Sequence, residues 1–217
     1  AVEAALNSDV DAVLLDEALS HLDQSAKHYI FEKFRSRVSG TGKCVVYASA
    51  NFDDILELCD SVIVLEAGYV VQTGTPQEVY CEPSTSRAAI LTGRTNLFEA
   101  RRLSSSKAET PEFQTITGSH RLIAARTEKA KLGALNQNIL LSIRPEYVSI
   151  SFGASFPEDN LLKATITSVK FLGPNTLVEC DADGLRIDVL VMRLVGLSAG
   201  DECMLGLPPE RITILTN

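Results

Sequence analysis

Two adjacent carboxylates, Asp16 and Glu17, follow directly on the apolar run Ala12-Val13-Leu14-Leu15. Such a run has the length and composition of one short, fully buried strand. Open α/β sheets bind their ligands beyond the carboxyl ends of their strands, where this pair sits. A phosphate site needs one carboxylate near a magnesium ion and a second near the attacking water. The pair could supply both, although a buried strand that merely ends in an acidic turn would read the same way.

The elements that must position these groups follow in order. Residues 1–6 read as the end of an apolar helix that breaks at Asn7-Ser8-Asp9. A chain that starts so close to a buried strand is expected to be part of a longer one. Asp23 can cap a helix through about Val38, because Ala26, Ile30, Phe34 and Val38 recur every four residues with Phe31 beside them. Lys27, Glu32, Lys33, Arg35 and Arg37 fall on its polar side, and His28 reads as a surface residue. The run Ser39-Gly40-Thr41-Gly42-Lys43-Cys44 is not a phosphate loop: that motif needs an earlier glycine and a hydroxyl residue directly after the lysine, and here Arg37 and Cys44 stand there. It reads as a helix-to-strand turn.

A second buried strand is expected over Cys44-Val45-Val46-Tyr47, and Asn51 with Asp54 three residues on makes a capping-box-like helix start. Ile55, Leu58 and Cys59 could then face the sheet. The segments 61–65 and 69–72 read as an antiparallel hairpin about Glu66-Ala67-Gly68. Thr75, Pro76 and Glu78 carry the signals of a short helix through Tyr80. Beyond residue 96 the pattern changes to many short β-prone runs joined by Gly, Pro, Asn and Asp turns, which argues for a small barrel or sandwich. Ser104-Ser105-Ser106-Lys107 is expected to be a polar turn or mobile loop, and His120 sits in a turn with no Cys or His at ligand spacing.

The bulk numbers bound the rest. The chain has 217 residues, 45% of them hydrophobic, enough for one large domain or two small ones. A net charge of -8 argues against a general nucleic-acid binder, and the basic excess over residues 94–131 lacks the interleaved aromatics of a stacking platform. Five cysteines without close spacing read as reduced, mostly buried thiols of a cytosolic protein. No apolar run approaches the roughly 20 residues that span a bilayer, so membrane association is expected to come through a partner.

The run Leu14-Leu15-Asp16-Glu17-Ala18-Leu19-Ser20-His21-Leu22-Asp23 resembles the Walker B segment and D-loop of ATP-binding cassette (ABC) ATPases. The resemblance implies Asp16 on the magnesium side of Mg-ATP, Glu17 polarising the water, and Asp23 in the loop that crosses to a second subunit. Ala18 stands where that family usually has proline, and His21 where it has a small residue. The second strand of the family ends in Thr-His-Asp, whose histidine holds the transferred phosphate; Ser49, Ala50 and Asn51 occupy those positions here. Ala50 offers no imidazole, which puts the hydrolysis rate in doubt more than nucleotide binding. Residues 74–80, Pro83 and Gly93-Arg94-Thr95-Asn96-Leu97 resemble the end of an importer-type nucleotide-binding domain. Ile143-Arg144-Pro145-Glu146, Phe171-Leu172-Gly173 and the closing Gly200-Asp201 and Arg211-Ile212-Thr213 resemble the accessory oligonucleotide-binding-like (TOBE) domain of such ATPases.

The resemblance therefore implies an α/β unit, residues 1–94, as part of a P-loop NTPase (RecA-like) core, followed by an all-β, OB-like barrel over residues 95–217. It implies ATP and Mg2+ as cofactors, permease subunits and a second ATPase copy as partners, no nucleic acid, and a cytoplasmic place on the inner face of the membrane. The phosphate loop and the signature loop are not among these residues, so the chain alone is expected to be inactive. Arg144 and Glu146 could form a recognition pair for a small solute or regulator, or a structural salt bridge or turn support. A regulatory or oxyanion-binding module and a degenerate structural subunit stay open as alternatives, and the transported solute is not legible.

Overall fold

The computed structural model describes residues 2–103, 111–125, 134–153, 159–192 and 196–215. The loop expected at 104–107 and the basic end at Lys131 lie outside the described residues. The chain divides into two compact units, Ala1–Cys81 and Glu82–Asn217.

In the first unit, α1 (Val2–Asn7) leads to β1 (Ala12–Asp16), α2 (Gln24–Val38), β2 (Cys44–Ala48) and α3 (Phe52–Leu58). Strands β1 and β2 pair in parallel, with Leu14 opposite Val46 and Asp16 opposite Ala48. The α2 start is as the sequence predicts, with the Asp23 carboxylate accepting from the Ala26 amide at 2.8 Å. Lys43 finishes α1, donating to the carbonyls of Leu6 and Ser8 at 3.0 and 2.7 Å, which is where a cation suits a helix end. Leu6, Val13, Leu15 and Phe34 form the core of this layer, with Ile30, Val38, Val45 and Tyr47 packed on it.

Two expectations need correction. The strands β1 and β2 are not fully buried: Val13 and Leu15 are, but Leu14 is 78% and Val46 53% exposed. The helices cover one face of this sheet and none of the described residues covers the other, so burial alternates along both strands. Lys27 is not on a polar face either. It is 8% exposed, because positions 27, 31, 34 and 38 share the inward side of α2.

The unit closes with β3 (Val62–Glu66) and β4 (Tyr69–Gly74), an antiparallel hairpin, and α4 (Pro76–Cys81). Ala67 and Gly68 both take positive φ, as a two-residue hairpin turn requires. Thr75 and Glu78 make a reciprocal capping box: the Thr75 amide donates to the Glu78 carboxylate at 2.8 Å and the Glu78 amide to the Thr75 hydroxyl at 3.2 Å. That amide hydrogen bond from Thr75 holds the Glu78 carboxyl below its ordinary pKa.

The second unit opens with α5 (Ser86–Leu91) and then holds two five-stranded sheets. One runs β14 (Thr213–Leu215), β8 (Asn138–Ile143), β5 (Asn96–Arg102), β6 (Glu112–Thr115), β7 (Arg121–Ile123). The other runs β12 (Leu185–Val191), β11 (Thr176–Ala182), β10 (Asn160–Phe171), β13 (Glu202–Leu207), β9 (Ser149–Ser151). Alternating inward residues of both sheets fill one core, including Phe98, Phe113, Leu141, Ile166, Ile187 and Leu205. The architecture is an α/β unit followed by an all-β unit. Cys180 and Cys203 are buried in the second core and Cys44 is exposed, so the thiols are less uniformly buried than composition suggests. Burial, with Cys203 beside it, pushes the Cys180 thiol up to about 12. No helix among the described residues is long and apolar enough to cross a membrane.

Two buried asparagines join the sheets, each from the central strand of one sheet to an edge strand of the other. Asn96 on β5 donates to the Asp188 carbonyl at 2.9 Å and accepts its amide at 2.7 Å, so its side chain pairs with edge strand β12 as a backbone amide would. Asn160 on β10 accepts the Ile123 amide at 2.7 Å and donates to the carbonyls of Ile123 and Leu207 at 3.0 and 2.9 Å. At the tip of the β6–β7 turn, Gly118 has φ +72, and a Cβ there would lie 2.4 Å from Nε2 of His120. His120 itself meets the Ala182 carbonyl at 2.9 Å, a structural role. Replacing Asn160 with leucine removes the partner of three backbone groups, of which the Leu207 carbonyl is buried, and a buried group costs about 1–3 kcal/mol when left unpaired. Denaturant unfolding of Asn160→Leu is expected to show a loss of at least about 2 kcal/mol in the second unit, with Asn160→Ser recovering little of it.

Candidate functional site

Asp16 ends β1 and Glu17 leaves the sheet in a left-handed backbone conformation, φ 46. That conformation costs an ordinary residue about 1–2 kcal/mol and is held by the surrounding bonds. The Glu17 amide donates to the Ala48 carbonyl at 2.9 Å, extending the parallel ladder by one step. Its carbonyl accepts the Ser20 amide at 3.2 Å and the Ser20 hydroxyl at 2.8 Å. The chain turns sharply there, and the Asp16 and Glu17 side chains are both exposed at the carboxyl end of the strand.

The loop after β2 arrives beside them because the register sets Ala48 opposite Asp16. The Ala50 amide donates to Oε1 of Glu17 at 2.8 Å. Ser49 turns the loop by accepting the Asn51 amide on its hydroxyl at 3.1 Å. Asn51 caps α3 by accepting the Asp53 amide at 3.1 Å. Asp54 does not complete the box as expected: its carboxylate takes the Asn51 side-chain amide at 3.1 Å, the Tyr47 hydroxyl at 3.2 Å and the Lys27 ammonium at 2.8 Å.

Asp16, Glu17, Ser49 and Ala50 thus converge at one end of the parallel strands, while Asp23 sits at the start of α2 as its cap. One oxygen of Glu17 is taken by an amide, which leaves the other to order a water, and no described residue bonds the Asp16 carboxylate. An open carboxylate at a strand end is a donor fit for a hard divalent cation that keeps most of its water. Among the described residues no group of three or more His, Cys, Asp or Glu could hold a metal by itself, so a cation at Asp16 would need phosphate or water ligands. Sequence reading missed Lys27, Tyr47 and Asp54 as neighbours of this site. The available signal was the spacing of Lys27 with Phe31, Phe34 and Val38. The Tyr47 hydroxyl has its pKa raised by burial and by the charges of Asp54 and Glu17, against a lowering hydrogen bond from Ser49.

The Arg144 guanidinium is engaged within the second unit. Arg144 is 3% exposed, and its guanidinium donates to the carbonyls of Ala89 and Arg94 at 2.8 and 3.1 Å and to the Thr92 hydroxyl at 2.6 Å. It neutralises the carboxyl end of α5 and ties residues 89–94 to the end of β8, while Glu146 is exposed. The second unit therefore begins before Asn96, because this segment is bonded to it.

Residues 141–215 match the TOBE domain family. Over 192 residues the chain is 30% identical to the spermidine/putrescine import ATP-binding protein PotA of Trichormus variabilis, covering 88% of this chain and 49% of that protein. Against PotA of Clostridioides difficile the identity is 27% over 217 residues, 99% of this chain and 57% of the relative. Against the Fe(3+) ions import ATP-binding protein FbpC of Photorhabdus laumondii it is 25%, covering all of this chain and 57% of the relative. A solved structure of the cytoplasmic molybdate-binding protein ModG aligns at 18% identity over 55% of this chain and 94% of its own, with a TM-score of 0.47. The chain spans about half the length of the curated relatives it matches.

The Arg144 contacts make a direct test of the segment boundary. Arg144→Met removes the guanidinium from the Ala89 and Arg94 carbonyls and the buried Thr92 hydroxyl and is expected to destabilise the second unit by about 2–4 kcal/mol. Arg144→Lys, with a single ammonium in place of a fork, is expected to recover less than half of that in the same denaturant titration.

Proposed function

We propose, for a chain that is part of an ABC-importer ATP-binding subunit with a carboxyl-terminal TOBE domain, that its first unit carries the water-activating edge of the ATP site. The observation that supports this reading is the convergence of Asp16, Glu17 and the 49–50 loop at the carboxyl end of β1 and β2. Mg-ATP, when bound, supplies the phosphoryl group and most of the charge neutralisation of its transfer. Asp16 holds the magnesium side through water. Glu17, fixed at Oε1 by the Ala50 amide, orients the attacking water with its other oxygen. Asp23, engaged as the α2 cap, fixes the end of the D-loop.

Ala50 is the departure that sets the rate. A methyl group cannot donate a hydrogen bond to the transferred phosphate, and one preorganised donor is worth about 10²–10³ in turnover. In the complete subunit, whose relatives are about twice this length, the bare face of β1 and β2 at Leu14 and Val46 is covered by the rest of the ATPase domain. Two such subunits act on the cytoplasmic side of permease subunits, driving solute uptake, and these 217 residues by themselves do not turn over ATP. Ala18 and Ala50 favour one competing reading, a degenerate structural subunit.

Steady-state ATPase assays of the complete subunit with its permease separate the two. The catalytic reading expects slow turnover that Glu17→Gln lowers at least about tenfold and that Ala50→His raises at least about tenfold. Turnover indifferent to Glu17→Gln, or absent in all three forms, contradicts it and favours the structural subunit.

A further inference from the structure

We infer that Lys27 and Asp54 are positioning residues for Glu17, acting through the 47–51 segment. The inference rests on the reading of Glu17 given above only for its effect on turnover; the link itself is geometric. Asp54 is 4% and Lys27 8% exposed. The ammonium donates to both carboxylate oxygens, at 2.9 and 2.8 Å. Tyr47 and Asn51 donate to the same carboxylate, one from each side of Ala50 in sequence.

Asp54 therefore holds both shoulders of the loop whose centre donates to Oε1 of Glu17. Asn51 is fixed twice, by its side chain to Asp54 and by its amide to the Ser49 hydroxyl. With both fixed, the intervening Ala50 amide is aimed at Glu17. Lys27 extends the link to the first turn of α2, which Asp23 caps. The anchor thus joins the loop that grips Glu17 to the helix that follows the carboxylate turn.

A buried ion pair is a poor device for stability alone, since well-packed apolar residues of similar volume often do as well or better. Such a pair fixes direction: its four hydrogen bonds hold one carboxylate in one orientation. This difference gives the test its discriminating variant. In Lys27→Met/Asp54→Leu the volume is kept and the direction is lost.

The experiment uses the 217-residue chain, ¹⁵N-labelled, and follows the Ala50 amide resonance. In the unaltered chain Glu17→Gln is expected to move that resonance, because a charge-assisted acceptor becomes neutral. In Lys27→Met/Asp54→Leu the response to Glu17→Gln is expected to fall at least about twofold, as coupled residues in one network do, while denaturant stability is kept. Lys27→Arg is expected to retain the full response. An undiminished response in the double variant overturns the proposal, as does loss of the response only in parallel with unfolding. If the double variant does not fold, Asp54→Asn with Tyr47→Phe is read the same way. In the complete subunit the same double variant is expected to lower kcat about tenfold while leaving KM for ATP within about twofold. Turnover untouched by Glu17→Gln overturns the catalytic reading of Glu17, and the Ala50 resonance decides the positioning link independently.

Discussion

The left-handed backbone of Glu17 is the constraint on which the site depends. A strand that ends in an ordinary residue continues extended, and its next side chain returns to a sheet face. At φ 46 the chain instead folds back after one residue, and the Glu17 side chain leaves the sheet edge toward the loop after β2. Glycine reaches this region without a Cβ penalty. A glutamate there is paid for by four hydrogen bonds, one to Ala48, two from Ser20 and one from Ala50. Strain of this kind persists where surrounding structure over-determines it and clusters at functional sites. The parallel register then decides which residues meet Glu17: shifting β2 by one position would present a different amide and turn its side chains to the other face.

Local chemistry was the legible part of the sequence. The caps at Asp23, Asn51 and Thr75, the tight turn at Ala67-Gly68 and the alternation along β10 to β12 follow from contacts within a few residues. For the same reason the strand end that carries Asp16 and Glu17 could be placed in the sequence before its distances were known, whereas Ser49 and Ala50 are picked out by the family resemblance. What stayed hidden depends on partners far away in the chain. Lys27 read as a solvated charge because its type outweighed its spacing, and only the approach of Asp54, 27 residues later, makes its burial tolerable. Nothing near Asn96 and Asn160 in the sequence marks them as buried; strands 92 and 37 positions away accept their side-chain amides. Arg144 could be read as a ligand contact or as turn support, because its sequence neighbours do not include the α5 carbonyl it bonds. Leu14 shows the converse error. Four apolar residues in a row report that a strand is apolar on both faces, not that both faces have been covered.

The two units solve the burial problem differently. The all-β unit has two sheets sharing one core, with two asparagine side chains bonding one sheet to the backbone of the other. The α/β unit has a smaller core on one side of β1 and β2. Parallel sheets occur almost only with both faces covered, and here the described residues cover one face of β1 and β2. Its organisation is local to the strand ends: a parallel register, a strained glutamate and a loop anchored by a buried ion pair.

The most direct measurement compares the unfolding free energies of Glu17→Gly and Glu17→Ala in the 217-residue chain. Both remove the carboxylate and its bond to Ala50, so their difference reports the backbone alone. If Glu17 is held left-handed, glycine is expected to be the more stable of the two by about 1 kcal/mol, despite its greater freedom in the unfolded chain. An alanine variant as stable as glycine, or more so, would mean that residue 17 is not confined to positive φ, and the geometry that presents its carboxylate would be wrong.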